Sequence, residues 1–216
     1  MLLAFLVICF GGPFVILLTA AFVAYYLEGR PRSWQHFKTR FRLKPIRGQQ
    51  WFWTVGLIIF SLASFLLLRF TARWIASIPL FAPPDFLPTL LDPRVVQTDT
   101  PLAEMMGVPL RGNWWVFFTY FGVLCFNIFG EELWWRGYIL PRQELTHGKW
   151  AWLIHGLLWD LFHLFFWWNL IALLPSTLAI SYVTSRFKNT TVAIVAHWGF
   201  SGANLVIILL GVLGMG

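Results

Sequence analysis

The chain has 216 residues, of which 58% are hydrophobic and 12% are charged, and its mean hydropathy is +0.68. Soluble domains are about half apolar and about a quarter charged, so this composition excludes an ordinary soluble domain and a disordered chain. The net charge of +7 comes from basic residues between hydrophobic runs, which indicates orientation in a lipid bilayer rather than nucleic-acid binding. We therefore predict a single membrane domain over 1–216.

Six apolar runs predict an all-α, multi-pass helical bundle, because a helix needs about 20 apolar residues to cross a bilayer. The predicted spans are 2–27, 51–70, 114–140, 150–167, 170–186 and 190–213. Pro13 is expected to kink the first span, and Pro141 is expected to end the third. The fourth and fifth spans are expected to meet at Trp167-Trp168-Asn169. Cys9 and Cys125 lie inside apolar runs and are expected to be buried.

Two loops differ sharply in charge. Segment 28–50 carries seven basic residues and one acid, and Trp34, Phe37 and Phe41 recur at helical spacing. This pattern fits a short interfacial helix on an anionic leaflet, and a solvated basic loop that only fixes topology is the equal alternative. Segment 79–112 has seven prolines and a net charge of −2, which predicts a non-helical loop. The positive-inside rule then places 28–50 in the cytoplasm, and places 79–112 and both termini on the opposite side.

Charged side chains inside the spans are costly, at about 2.5–3.5 kcal/mol each near a helix centre, and they indicate function. Glu131 and Glu132 are adjacent in the third span, and Arg136 follows Glu132 at spacing i, i+4. One helical turn can pair Glu132 with Arg136, whereas Glu131 points about 100° away and lacks that partner. The pattern predicts one structural acid, Glu132, and one acid free for proton transfer, Glu131. An ion pair that only joins helices is the structural alternative.

The fourth span carries a carboxylate and two histidines. Asp160 precedes His163 by three residues on one helical face, so Asp160 is predicted to orient the imidazole for general-base work or metal ligation. His155 lies two turns earlier and competes with His163 for this role. A helix–helix hydrogen bond made by a membrane histidine is the structural alternative.

The sixth span carries a polar stripe. His197, Ser201 and Asn204 follow at i, i+4 and i+7, and such groups can donate hydrogen bonds to a developing oxyanion. Close helix packing through small residues is the alternative reading of this stretch. Glu131, His163 and His197 thus stand on three different spans, and their convergence in one small bundle is the strongest functional signal in the sequence.

Together these motifs resemble the CPBP family of intramembrane endopeptidases, which includes CAAX prenyl proteases and bacterial relatives tied to bacteriocin maturation and self-immunity. Glu131-Glu132-x-x-x-Arg136-Gly137 resembles the first family motif, Trp159-x-x-x-His163 the second, and His197 the third. The resemblance covers about 114–206, which is therefore the expected catalytic core. Two positions depart from the family pattern: Trp159 replaces the usual Phe, and Ser201 stands where Asn is usual.

The resemblance implies a mechanism. Glu131 and His163 would activate a water for attack on a peptide carbonyl. His197, with Asn204 or Ser201, would stabilise the oxyanion, while Glu132 and Arg136 would support the site. The implied substrate is a membrane-anchored peptide or protein, such as a prenylated CAAX tail or a leader peptide, in the plasma membrane of a prokaryote.

The cofactor expectation has two forms. The preferred form needs no cofactor, because an Asn or Ser near His197 suits hydrogen bonding to an oxyanion. The alternative is a Zn ion held by Glu131, His163 and His197, which are residue types that bind zinc.

Helix lengths leave one choice open. At about 1.5 Å per residue, Glu131 lies about 25 Å from Trp114, near the cytoplasmic side, and His197 lies at a similar level. His163 lies about 20 Å from Trp150 and is therefore deeper, which keeps His155 open as the partner of Glu131. Two other functions also remain: a catalytically silent partner-binding protein of the same family, and a proton- or cation-coupled transporter. The transporter is less favoured because no broken-helix repeat is visible.

Overall fold

The structure is a computed structural model that describes residues 4, 7–8, 11–85, 87, 92–95, 103–105 and 107–215. The α-helices are α1 (Gly12–Leu27), α2 (Trp34–Arg40), α3 (Gln49–Leu68), α4 (Phe70–Ala76), α5 (Trp114–Glu131), α6 (Leu140–His147), α7 (Ala151–Phe162), α8 (Leu170–Phe187) and α9 (Thr190–Leu213). A π-helical segment, Glu132–Ile139, joins α5 to α6, and 3-10 turns lie at Pro79–Phe81, Gly148–Trp150 and His163–Asn169. Two short strands, β1 (Glu104–Met105) and β2 (Val108–Pro109), form an antiparallel hairpin.

The described chain is a helical bundle of the membrane type, which confirms the predicted all-α fold class. Among the described residues, three helical stretches are long and apolar enough to cross a membrane: Gln49–Ala76, Trp114–Phe187 and Thr190–Leu213. The second stretch contains the predicted third, fourth and fifth spans. Gly12–Leu27, within the predicted first span, is a shorter apolar helix, and Pro13 lies in its first turn.

The prediction that the third span ends at Pro141 is wrong. After α5, the chain continues as the π-helical segment and then as α6 to His147, with Pro141 in the first turn of α6. A proline is tolerated in a first helical turn because the N–H group that it lacks is not needed there. Pro141 therefore marks a change of helix type rather than the end of the span.

The junction between the fourth and fifth spans begins earlier than predicted. Helix α7 ends at Phe162, and the 3-10 turn His163–Asn169 includes Phe166 with non-helical φ −123° and ψ 54°. The indole of Trp167 donates a hydrogen bond to the carbonyl oxygen of Phe81 at 2.9 Å. His163 is consequently the C-cap of α7, so the end of the helix places its side chain.

The basic segment 28–50 contains one short helix, α2. Its Phe37 and the following Phe41 are buried against Tyr25 of α1, while Trp34 stays exposed. Of the two alternatives for this segment, the structure contains the helix. Two of its three aromatic side chains pack into the bundle, which attaches the segment to α1.

Two acids bind basic side chains from several segments. The ion pairs are those of Glu28 with Arg30, Arg40 and Arg142, and those of Glu144 with Arg42 and Lys188. These partners come from α2, α6 and the loops beside them, and from the C-terminal end of α8. Basic residues that are expected to set topology therefore also hold distant segments together.

The described parts of 79–112 contain no α-helix, as the prolines predict. Within this loop, Asp92 pairs with Arg94 at 2.7 Å. Pro88, Asp99, Pro101 and Cys9 lie outside the residues that the structure describes. Cys125 is a free cysteine and is half-buried rather than fully buried, since α5 turns this face partly outward.

Helices α1 and α5 approach closely at Gly130. A Cβ atom at this position would overlap the carbonyl oxygen of Phe14 in α1. The neighbouring atom belongs to the backbone, so it cannot turn aside as a side chain can. The absence of a side chain at Gly130 therefore allows α1 to pack against α5 one residue before Glu131.

Replacing Gly130 with Ala should push α1 away from α5 and destabilise the bundle by about 1–3 kcal/mol. Gly122→Ala is the matched control, because it lies in the same helix and its Cβ would meet nothing within 4 Å. Thermal unfolding in detergent measures both variants. Equal melting temperatures for the two variants would contradict the close approach at Gly130.

Hydrogen bonds from Arg40, aided by those from Arg142 and Arg30, lower the pKa of Glu28 from 4.5 to about 2, although partial burial raises it. A carboxylate with a lowered pKa in the folded state stabilises the fold fully above its unfolded pKa and loses this contribution as the pH falls. Glu28→Gln should therefore lower the melting temperature at neutral pH. The gap to the wild type should narrow between pH 4.5 and about 2. Thermal unfolding across this range is the test, and a constant gap would contradict it.

Candidate active site

Five polar residues predicted for catalysis line one cavity of about 550 Å³ inside the bundle. They are Glu131, His163, His197, Ser201 and Asn204. Glu131 ends α5, His163 caps α7, and the other three lie on α9. The structure thus brings together residues from three separate predicted spans, and their catalytic roles stay predictions.

The chain between Glu131 and His163 forms a hairpin that sets these residues opposite each other. His147, the last residue of α6, lies 16 residues after Glu131 and 16 residues before His163. The chain then turns at Gly148–Trp150, so the two arms reach a similar depth. The sequence places His163 deeper than Glu131 because it ends the third span at Pro141. The helix continues to His147, so Glu131 and His163 are equally far along the chain from the turn.

Glu131 is almost fully buried, with 1% of its surface exposed, yet both of its carboxylate oxygens have partners. Oε1 accepts a hydrogen bond from the amide of Asn127 at 2.9 Å. Oε2 accepts one from the indole N–H of Trp159 at 2.7 Å, and it lies 3.9 Å from Nε2 of His163. As predicted, Glu131 is not the partner of Arg136, and its free lone pairs remain available to a small molecule in the cavity.

His163 is oriented by the backbone, not by Asp160. Its Nδ1 lies 2.8 Å from the carbonyl oxygen of Trp159. A carbonyl oxygen can only accept, so Nδ1 carries a proton, and Nε2 is the ring nitrogen that faces Glu131. The prediction that Asp160 orients His163 is wrong, because the imidazole contacts the Trp159 carbonyl through Nδ1 and faces Glu131 with Nε2. Asp160 instead faces Thr177 of α8, whose hydroxyl lies 3.5 Å from Oδ1.

His155 takes no part in the cavity wall. It is fully buried, and its Nδ1 lies 2.7 Å from the side-chain oxygen of Gln143 in α6. Its ring contacts that of Trp135 edge-on, with the ring centroids 5.7 Å apart. Of the two histidines left open by the sequence, the structure therefore places His163 beside Glu131.

A buried ion cluster lies behind the cavity. Glu132 and Arg136 are both fully buried and pair at 3.0 Å across one turn, as their spacing predicts. The same oxygen of Glu132, Oε1, also lies 2.9 Å from Nδ1 of His197. The guanidinium of Arg136 stacks on the face of Trp159, 3.3 Å from the ring centroid. The first motif thereby contacts the second motif through Arg136 and Trp159, and the third motif through Glu132 and His197.

The polar stripe of α9 faces the cavity. His197 is nearly buried, and its Nδ1 contact with Glu132 leaves Nε2 for the cavity side. Asn204 and Tyr120 of α5 border the same cavity. Ser201 lies between His197 and Asn204 along the helix. Both Ser201 and Asn204 therefore border the cavity, and their roles stay predictions.

The described side chains form no preassembled metal-binding group. Among the described residues, no group of three or more His, Cys, Asp or Glu side chains is placed to hold a metal ion. Nδ1 of His163 and of His197 is engaged, which leaves Nε2 of each ring unbonded, and zinc-ligating histidines hold their other nitrogen in the same way. The zinc alternative stays a prediction. No step of the chemistry below is assigned to a metal.

Sequence reasoning missed two partners of Glu131. Asn127 lies one turn before Glu131, so a polar amide at i−4 in an apolar run was the available signal. Trp159 is visible in the sequence only as a departure from a motif. Its hydrogen bond to Glu131 depends on how α7 packs against α5, which the periodicity of a single helix cannot show.

Residues 113–203 match the family model for the Rce1-like type II CAAX prenyl endopeptidases. The UPF0177 protein YbdI of Lactococcus lactis subsp. lactis (strain IL1403) is 23% identical over 195 residues, which cover 90% of this chain and 92% of that protein. No solved structure matches this chain significantly. The family match confirms the resemblance to the CPBP family, and its range nearly coincides with the expected core 114–206.

Arg136→Met should destabilise the protein by about 3–5 kcal/mol, because it leaves buried carboxylates without their fixed positive partner. The double variant Glu132→Gln with Arg136→Met should recover much of this loss, since it removes the charge that is left unpaired. Denaturant unfolding in detergent measures both proteins. If the single variant were as stable as the wild type, the cluster would not hold the helices together.

Proposed function

We propose that this chain, an integral membrane protein related by its family match to the CAAX-type intramembrane proteases, is an endopeptidase that hydrolyses a membrane-anchored peptide. One observation carries the proposal. Oε2 of Glu131 and Nε2 of His163 lie 3.9 Å apart and border the same cavity. Two proton acceptors at this separation are suited to hold and activate one water molecule.

The water would sit between the two side chains. A separation of 3.9 Å is too long for a direct hydrogen bond and short enough for one bridging water. The carboxylate of Glu131 and the lone pair on Nε2 of His163 both accept, so the water donates both of its hydrogens to them. Its own lone pair is then free to attack a peptide carbonyl carbon in the cavity.

Proton transfer follows from the same geometry. As the water oxygen bonds to the carbonyl carbon, one of its protons passes to Glu131, which acts as the general base. The protonated carboxyl group then delivers this proton to the amide nitrogen when the C–N bond breaks. The products are a carboxylic acid and an amine, and Glu131 returns to its starting state.

The developing oxyanion would be stabilised from α9. His197 offers an Nε2–H donor when it is an imidazolium, and Glu132 is placed to balance that charge. Ser201 is one turn further along the same face, and its hydroxyl can donate a second hydrogen bond. Asn204 lies three residues after Ser201 and borders the same cavity, so its amide can donate as well.

The cavity wall favours a substrate that enters from the membrane. Aromatic side chains of the α7 end and of α9 form much of its surface, including Phe162, Phe165 and Phe200. Such a wall accepts apolar groups and leaves polar contacts to the catalytic end. A prenylated CAAX tail and a leader peptide are the two substrate types to test first. The proposed location of the protein is the plasma membrane of a prokaryote, with both of its termini outside.

Glu131→Gln and His163→Ala should each abolish cleavage while the fold is retained, because an amide cannot take up the proton of the water and the second change removes an acceptor. His155→Ala is the matched control, since this buried histidine does not border the cavity, and its cleavage rate should stay near wild type. The assay uses purified protein in detergent with prenylated and leader-type peptides. Circular dichroism of each variant monitors folding.

A chelator arm tests the metal alternative in the same assay. Cleavage should survive a zinc chelator, because no donor set for zinc is formed by the described residues. Cleavage that is lost with chelator and restored by zinc would overturn this part of the mechanism. Cleavage retained in Glu131→Gln would overturn the catalytic assignment itself and favour the partner-binding alternative.

A further inference from the structure

We propose that Trp159 is a positioning residue that aligns both halves of the water-activating pair, an inference that rests on the proposed function. Trp159 is buried, with 4% of its surface exposed, and it borders the cavity. Its indole N–H donates to Oε2 of Glu131 at 2.7 Å. Its backbone carbonyl accepts the Nδ1 proton of His163 at 2.8 Å. One residue therefore holds the acid with its side chain and the histidine with its main chain.

The indole bond matters because of the oxygen it engages. Oε2 is the carboxylate oxygen that lies 3.9 Å from His163. A hydrogen bond from a rigid ring fixes the rotation of the carboxylate, so that the remaining lone pair of Oε2 is presented to the bridging water. Asn127 holds the other oxygen in the same way. With two fixed donors, Glu131 cannot turn away from His163 at low cost.

The ring itself is held in place by charge and by aromatic contacts. The Arg136 guanidinium stacks on its face, while the imidazoles of His163 and His197 meet it edge-on with centroids 5.4 Å and 5.9 Å away. A buried guanidinium over an indole is a favourable cation–π contact. The Glu132–Arg136 pair thus fixes Trp159, and Trp159 in turn fixes Glu131. Phe, the usual residue at this motif position, lacks the N–H donor.

Trp159→Phe removes the donor and keeps an aromatic ring, and Trp135→Phe is the matched control. Trp135 lies in the π-helical segment, does not border the cavity, and its indole N–H has no hydrogen-bond partner among the described residues. Trp159→Phe should lower kcat by about 10- to 100-fold, the range expected for a hydrogen bond to a charged group, with little change in KM. Trp135→Phe should leave both constants near wild type.

A second measurement needs no substrate. In protein labelled with ¹⁵N-tryptophan, the indole N–H resonance that is absent from Trp159→Phe identifies Trp159. This resonance should move strongly in Glu131→Gln, because the charged acceptor is lost. The Trp135 resonance, identified in the same way, should move little. If Trp159→Phe does not fold, a strong shift of one indole resonance between wild type and Glu131→Gln still tests the contact.

The outcomes separate the two proposals. An unchanged kcat in Trp159→Phe, or a rise in KM alone, would overturn the positioning role. An indole resonance of Trp159 that does not move in Glu131→Gln would overturn it as well. Cleavage that persists in Glu131→Gln would overturn the proposed function, whatever the spectra show. A fall in kcat in Trp159→Phe but not in Trp135→Phe, together with the resonance shift, supports the positioning role.

Discussion

The buried cluster of Glu132, Arg136 and His197 is the interaction on which the arrangement of the bundle depends. In an interior without bulk water, an ionised side chain is stable only where an opposite charge or hydrogen-bond donor is held beside it. Glu132 and Arg136 come from one helical turn, whereas His197 comes from α9. The contact between Glu132 and His197 therefore joins α9 to the π-helical segment, and this docking brings the polar stripe of α9 to the cavity.

The burial of Arg136 also determines the position of α7, the second arm of the hairpin. Arg136 is covered by the ring of Trp159, so α7 must pack where the indole can stack on the guanidinium. Once there, the indole reaches Glu131 and the end of α7 presents His163. The two adjacent acids therefore face different surroundings. Glu132 faces the cluster that closes the bundle, and Glu131 faces the cavity.

The hairpin accounts for the common depth of the site. A π-helical segment followed directly by α6 carries the chain past Pro141, and π-helical turns occur often at functional sites. The chain then reverses at Gly148–Trp150, midway between Glu131 and His163 in sequence. Apart from a few polar groups, which include Glu131 and His163, the cavity is lined largely by aromatic and aliphatic side chains. Polar chemistry is therefore restricted to those few groups.

The sequence by itself determined the fold class, the charged residues that have no place in hydrocarbon, the Glu132–Arg136 pair and the family resemblance. These follow from composition, from helical spacing within one span and from local motifs. Only the tertiary structure decided that His163 rather than His155 meets Glu131, that Asp160 turns towards Thr177, and that Trp159 and Asn127 hold Glu131. Each of these depends on where a helix ends and how it is rotated against its neighbour. Spacing within a single helix carries no information about that registry, because packing between helices sets it.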